Sequence, residues 1–422
     1  MINKMVYKLE SFFSLDIKWY IKNSMYLILT NIIIIVSNFL LSVALARLLT
    51  KELYGLWNFI FSILSILAIF TLPGMNIAIT QAVARGYDRV LIEGIKEKFK
   101  WSMLGSIVIS GVGAYYFLNS FTLLGMCFMI SSLFFPFYQI FQTYTAFLYG
   151  KMQFNIIAKY HIILQILSIL VVLPVIYLTR NLIFILITYL TCNVLLNGYF
   201  LQTTLKKMKN HNSDKEAISF GKHLTLQIIP SEIIARGDMI IIGVLLGFPE
   251  LAVYSIAKGF STVIKMLMMP IISLTFPKLA KMSEENAYLV VKKNFLYLVI
   301  FTIIVCGILI ALCPYIITFI YSQKYTDSIL YTQILLVSLI FGIPTTIFGK
   351  ALFPSQRKVK ELYKIKLFHT GIELPILIIL ILKFGLLGVV VAKVLSNLLV
   401  MIYSCKLARI NIINVKNIKL FY

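Results

Sequence analysis

Acidic side chains are scarce in this sequence of 422 residues: 16 Asp and Glu stand beside 39 Lys and Arg, a formal charge of +23. Charged residues of both signs make up only 13% of the chain, against 60% hydrophobic residues and a mean hydropathy of +0.92. So little charge excludes a soluble globular domain and leaves an integral membrane protein. Cysteine is equally uninformative. Cys127, Cys192, Cys306, Cys313 and Cys405 fall in or beside apolar segments without CxxC or Cys/His spacing, which argues against a disulfide framework or metal site and for small core residues. No GxxxxGK[ST] motif is present, so nucleotide-driven transport has no support. Long polar loops are missing too. The longest connection, Thr204–His223, holds the polar run KKMKNHNSDKE, and Asn119–Ser120, Thr179–Asn181 and Phe248–Glu250 are only short turns. A membrane glycan polymerase or ligase would be expected to display paired charges on a sizeable outer loop, and none exists; nothing in the chain points to an enzyme.

What is present is a succession of continuous apolar runs of about 20 residues, each long enough to cross a hydrocarbon core of roughly 30 Å as a helix. The runs do not alternate, which favours a helical bundle over a barrel. Twelve can be drawn, from 23–48 to 386–405. With the N-terminus cytoplasmic and retained rather than cleaved as a signal peptide, 29 Lys and Arg fall on the inner side and five on the outer (Arg47, Lys51, Arg180, Lys324, Lys383). That imbalance predicts both termini in the cytoplasm. It also assigns the positive charge to topology and to membrane lipids rather than to nucleic acid.

The basic linker divides the spans six and six, predicting lobes 1–210 and 211–422. A weak internal repeat agrees: LLTKELYGLW at Leu48–Trp57 answers LLGFPELAVYS at Leu245–Ser255, and Pro73 followed by Arg85 answers Pro270 followed by Lys281. Two six-span repeats with a site near the midplane is a transporter plan. The expected fold is all-α and integral to the membrane, about twelve transmembrane helices in two six-helix lobes around a central cavity.

The run Asp238-Met-Ile-Ile-Ile-Gly243, then Gly247 and Glu250-Leu-Ala-Val-Tyr-Ser-Ile-Ala257, resembles the junction of spans 7 and 8 in polysaccharide repeat-unit flippases, the oligosaccharide-lipid branch of the multidrug/oligosaccharidyl-lipid/polysaccharide exporter superfamily. Ala46-Arg-Leu-Leu-Thr-Lys-Glu-Leu-Tyr-Gly55, Ala82-Val-Ala-Arg85 and Phe384-Gly-Leu-Leu-Gly388 are similar to further parts of that pattern. One position departs from it: where such sequences often place a basic residue after the aspartate, this chain has Met239, and Arg236 precedes. The resemblance implies a flippase in the bacterial cytoplasmic membrane. It would carry undecaprenyl-diphosphate-linked oligosaccharide, for O-antigen or capsule, from the inner to the outer leaflet by alternating access. No cofactor is implied beyond a coupling ion, H+ or Na+, and the implied partners are the lipid-linked oligosaccharide, polysaccharide polymerase and chain-length machinery. A cation-coupled multidrug exporter of the same superfamily is the alternative.

Ionisable residues inside the spans carry the functional question, since each is costly unless it has a partner, a wet cavity or a task. At about 1.5 Å per residue, Arg236 lies roughly 16 Å below the outer end of its span. Glu232 and Arg236, four apart, share a face, while Asp238 points away from Arg236. Lys258 and Lys265 share a face of the next span, Lys393 lies in the last, and Lys350 sits near an inner end where it can snorkel. His369 and Glu373 are four apart on span 11. Each group is read either as part of a structural ion pair or as lining the cavity. For a diphosphate, the candidates are Lys258, Arg236, Lys393, Lys265 and, at the outer mouth of span 1, Arg47; for a coupling ion, Asp238 and Glu373. The embedded cations of the second half exceed its acids by two, a receptor for phosphate and a poor one for a cationic drug. The first half instead offers neutral groups: Asn31 and Asn38, Gln139 and Gln142, His161 and Gln165, Asn193 and Asn197. They are read as interhelical hydrogen bonders, with Asn31 and Asn38 also candidates for sugar hydroxyls.

Overall fold

The computed structural model describes residues 17–273, 275–356 and 358–408, without the side chains of 17–24, 215, 267–271, 273, 277 and 278. Lys4, Lys8, Lys18 and Lys22 of the expected cytoplasmic tail, and Pro270 of the repeat, lie outside the described side chains.

No strand occurs among the described residues. In chain order the helices are α1 (Ile17–Leu48), α2 (Lys51–Leu67), α3 (Gly74–Ala84), α4 (Val90–Leu118), α5 (Thr122–Ile140), α6 (Tyr144–Gly150), α7 (Phe154–Thr179) and α8 (Leu182–Leu205). They continue as α9 (Lys215–Leu245), α10 (Phe248–Ser273), α11 (Thr275–Ala280), α12 (Glu284–Tyr321), α13 (Asp327–Ile347) and α14 (Val359–Leu407). Nine segments among the described residues are long and apolar enough to cross a membrane. α9 and α10, which carry the ionisable cluster of the second half, are not among them. Many outward side chains are large and apolar, Leu118, Leu178, Phe319 and Leu382 among them, as a hydrocarbon solvent requires. The protein is an all-α integral membrane protein.

By its own contacts the chain forms two compact units, residues 1–49 with 60–232, and residues 50–59 with 233–422. In the first unit α4 packs along α5, α1 against α7, and α7 against α8. Its core gathers Met75, Ile79, Val83, Leu91, Tyr144, Phe147, Ile157 and Phe200. Tyr160 stacks flat on Phe200, their centroids 4.3 Å apart. The basic linker is not a free tether. Asp88, fully buried, pairs with Lys151 at 2.6 Å and accepts from the backbone N–H of Lys209, while Asn210 accepts from the N–H of Asp88. Ser213 donates to Glu93, and Lys222 pairs with Glu97.

In the second unit α13 packs against α10, α12 and α14 around Phe295, Leu336, Phe348, Phe353 and Ile365, with Cys306 and Cys405 as small apolar fillers. Two glycine turns shape it. Gly247, at φ 104°, separates α9 from α10, and Gly385, at φ 56° and ψ −136°, breaks α14 into arms 359–384 and 386–407. A side chain is disfavoured in both conformations. The first turns of α2 belong to this unit because Gly55 lets them touch α10. A Cβ at Gly55 would stand 1.8 Å from the Phe248 carbonyl oxygen.

Candidate functional site

The second unit concentrates its charge where α9, α10 and the two arms of α14 meet. Asp238 sits in α9 and is 1% exposed. Its Oδ1 accepts from Lys258 Nζ at 2.7 Å and its Oδ2 from Tyr254 Oη at 2.7 Å, both donors on α10. Lys258 also donates to the Ala235 carbonyl at 2.8 Å. From the second arm of α14, Lys393 Nζ reaches Asp238 Oδ2 at 3.1 Å and pairs with Glu373 Oε1 of the first arm. His369 Nε2 lies 2.8 Å from Glu373 Oε2. Two carboxylates thus share two lysines, a tyrosine and a histidine, a connected polar network in which each member is partnered.

This arrangement sorts the embedded cations. Lys258 and Lys393 already carry carboxylates, whereas Arg236, Lys265 and Lys350 are exposed and make no ion pair among the described residues. The Arg236 charge acts on Lys258, and Lys265 feels Lys350, Lys393 and Glu373. Glu232, the expected partner of Arg236, is half-buried one turn earlier. Lys350 stands in a π-helical turn, Phe348–Leu352, just beyond Pro344. Proline removes one helical hydrogen bond and a π turn rotates the helix beyond it, a common device at functional sites.

In the first unit two of the neutral groups, Asn193 and Asn197, are held by hydrogen bonds. Asn197 accepts from Tyr144, and Asn193 and Asn197 donate to carbonyls one turn back in α8. Asn38 lines a small pocket with Gln165, Tyr189 and Asn193, and Gln139 lines another with Ser65 and Tyr138. Asn31 and Arg47 are exposed on α1. Lys98, which with Arg85, Arg89, Lys96 and Lys100 forms the basic stretch expected on the cytoplasmic side between spans 2 and 3, is 1% exposed within α4. The motif Leu53-Tyr-Gly-Leu-Trp57 now has a physical reason in the Gly55–Phe248 approach.

A family model described as polysaccharide biosynthesis protein matches residues 20–283, more than half of the chain. The chain belongs to this polysaccharide biosynthesis protein family. Solved structures show the same fold. The lipid II flippase MurJ, in an inward closed conformation, is 16% identical with a TM-score of 0.65, over 92% of this chain and 87% of that one. An inward-facing multidrug resistance MATE family transporter is 15% identical with a TM-score of 0.62, over 88% and 93%. A superfamily transporter from Pyrococcus furiosus is 14% identical with a TM-score of 0.61, over 93% and 95%. No protein of curated function matches this family member significantly.

Proposed function

We propose that this protein flips an undecaprenyl-diphosphate-linked oligosaccharide from the inner to the outer leaflet of the bacterial cytoplasmic membrane by alternating access, with both termini cytoplasmic. The observation that carries this reading is the set Arg236, Lys265 and Lys350, cations without ion pairs among the described residues, beside Lys258 and Lys393 whose side chains are 24% and 17% exposed. Lysine is a serviceable point-charge partner for phosphate. A diphosphate satisfies the surplus charge; a cationic drug meets repulsion. Membership of the polysaccharide biosynthesis protein family supports the lipid-linked glycan. Under this reading Asp238 and Glu373 hold two of the lysines in place, the neutral groups of the first unit meet sugar, and polymerase and chain-length proteins take up the product.

The test is replacement of Lys265 and Lys350 together by Ala in the full chain, with surface glycan and accumulated lipid-linked saccharide measured at matched protein levels. Loss of surface glycan with accumulation of the precursor is the expected result. Unchanged glycan would remove these residues from the site, and resistance to cationic drugs conferred by the unaltered chain would favour the exporter reading.

A further inference from the structure

Lys98 is the buried charge that the diphosphate reading leaves unused. Its ammonium is sealed inside the first unit and donates to Asn76 Oδ1 at 2.7 Å and Thr143 Oγ1 at 2.9 Å, both neutral. It makes no ion pair among the described residues. The elements packed around it bring few ionisable groups. α3 has none, and neither has the 3₁₀ turn Phe141–Thr143; α5, packed along α4, has Cys127 and Tyr138, the latter against Tyr189. α6 has Tyr144, which donates to Asn197, and the exposed Tyr149. On α4 itself Glu93 is held by Arg89 and Ser213, Glu97 by Lys222 and Trp101, and Lys96 and Lys100 are exposed.

The two oxygens that Lys98 holds both mark breaks between helices. Asn76 is in the first turn of α3, directly after Leu72 in a left-handed conformation (φ 52°) and Pro73. Thr143 ends the 3₁₀ turn between α5 and α6, beyond Pro136 inside α5. Thr80, one turn on in α3, ties α3 to α6 by donating to the carbonyls of Asn76 and Ala146. One ammonium therefore pins two places where spans interrupt their regular hydrogen bonding. Lysine differs from arginine in being able to surrender its proton, and a charge enclosed by protein without an anion is held by those two oxygens alone.

We propose that Lys98 is a reversible proton-binding site of the first unit: protonated, it fastens the breaks at Asn76 and Thr143 together, and deprotonated, it loosens them. The assignment is independent of the transported substrate.

Trp101, one helical turn beyond Lys98, is a native reporter. The experiment is a pH titration of tryptophan fluorescence on the full-length protein in detergent, with Trp19 and Trp57 replaced by Phe. A reversible transition that persists in Glu97→Gln and is lost in Lys98→Arg, which keeps its charge, and in Asn76→Asp, which supplies an anion, is the expected result. Absence of a transition in the parent, or its retention in both variants, overturns the proposal. Circular dichroism confirms folding. If Lys98→Arg does not fold, Asn76→Asp and Thr143→Val decide, since each must move or abolish the midpoint; an unmoved midpoint in both overturns it.

Discussion

Glu373 and Lys393 touch although 20 residues separate them in α14. Twenty residues of straight helix would hold them about 30 Å apart; the break at Gly385 folds the second arm back along the first. Asp238 and Lys258 repeat the relationship at the same 20-residue separation, across the positive-φ Gly247. In each case the acid precedes the glycine turn and the lysine comes after it. Lys393 links the two pairs by also reaching Asp238.

Removing one member of this network leaves a buried charge without its partner. Asp238→Ala is expected to lower stability by about 3–5 kcal/mol. Denaturation of the detergent-solubilised protein measures it, and the exchange Asp238→Lys with Lys258→Asp should recover part of the loss.

The Lys51–Asp327 pair at 2.8 Å provides the contrast, because the aspartate side chain is 65% exposed. Asp327→Asn should change stability by less than about 1 kcal/mol in the same measurement, as exposed ion pairs do.

Gly55→Ala forces a methyl into the Phe248 carbonyl, and relief requires backbone movement of α2 or α10. A loss of about 1–3 kcal/mol is expected from overpacking. Gly388→Ala should behave alike, its Cβ falling 2.0 Å from the Leu380 carbonyl oxygen. Thermal unfolding of both variants beside Gly349→Ala, where a Cβ meets nothing, checks the comparison.

Asp88 holds the linker between α8 and α9 through the Lys209 N–H and, by its own N–H, Asn210, while Lys151 beyond α6 pairs with its carboxylate. Asp88→Ala should release the linker. Limited trypsin digestion reads this directly: cleavage after Lys206, Lys207 or Lys209 is expected to accelerate at least several-fold while the rest of the chain stays intact.

Composition and the pattern of the apolar runs made this an all-α membrane protein: a chain with 13% charge must satisfy its backbone in hydrocarbon as helices or a closed barrel, and continuous runs of about 20 residues without alternation fit only helices. Local spacing also sufficed for His369 and Glu373, which meet because four residues return to the same face of a helix. The glycines at 55, 247, 385 and 388 stood out in the sequence as parts of a family pattern, but not what they touch. Only the tertiary structure decided which charges cancel. Lys258 and Lys393 find their carboxylates across reversals of the chain, and helical periodicity carries no information beyond a reversal. The same reason hid Lys98, which reads as one of five cations in a basic stretch until α4 lays it against Asn76 and Thr143 from two other elements.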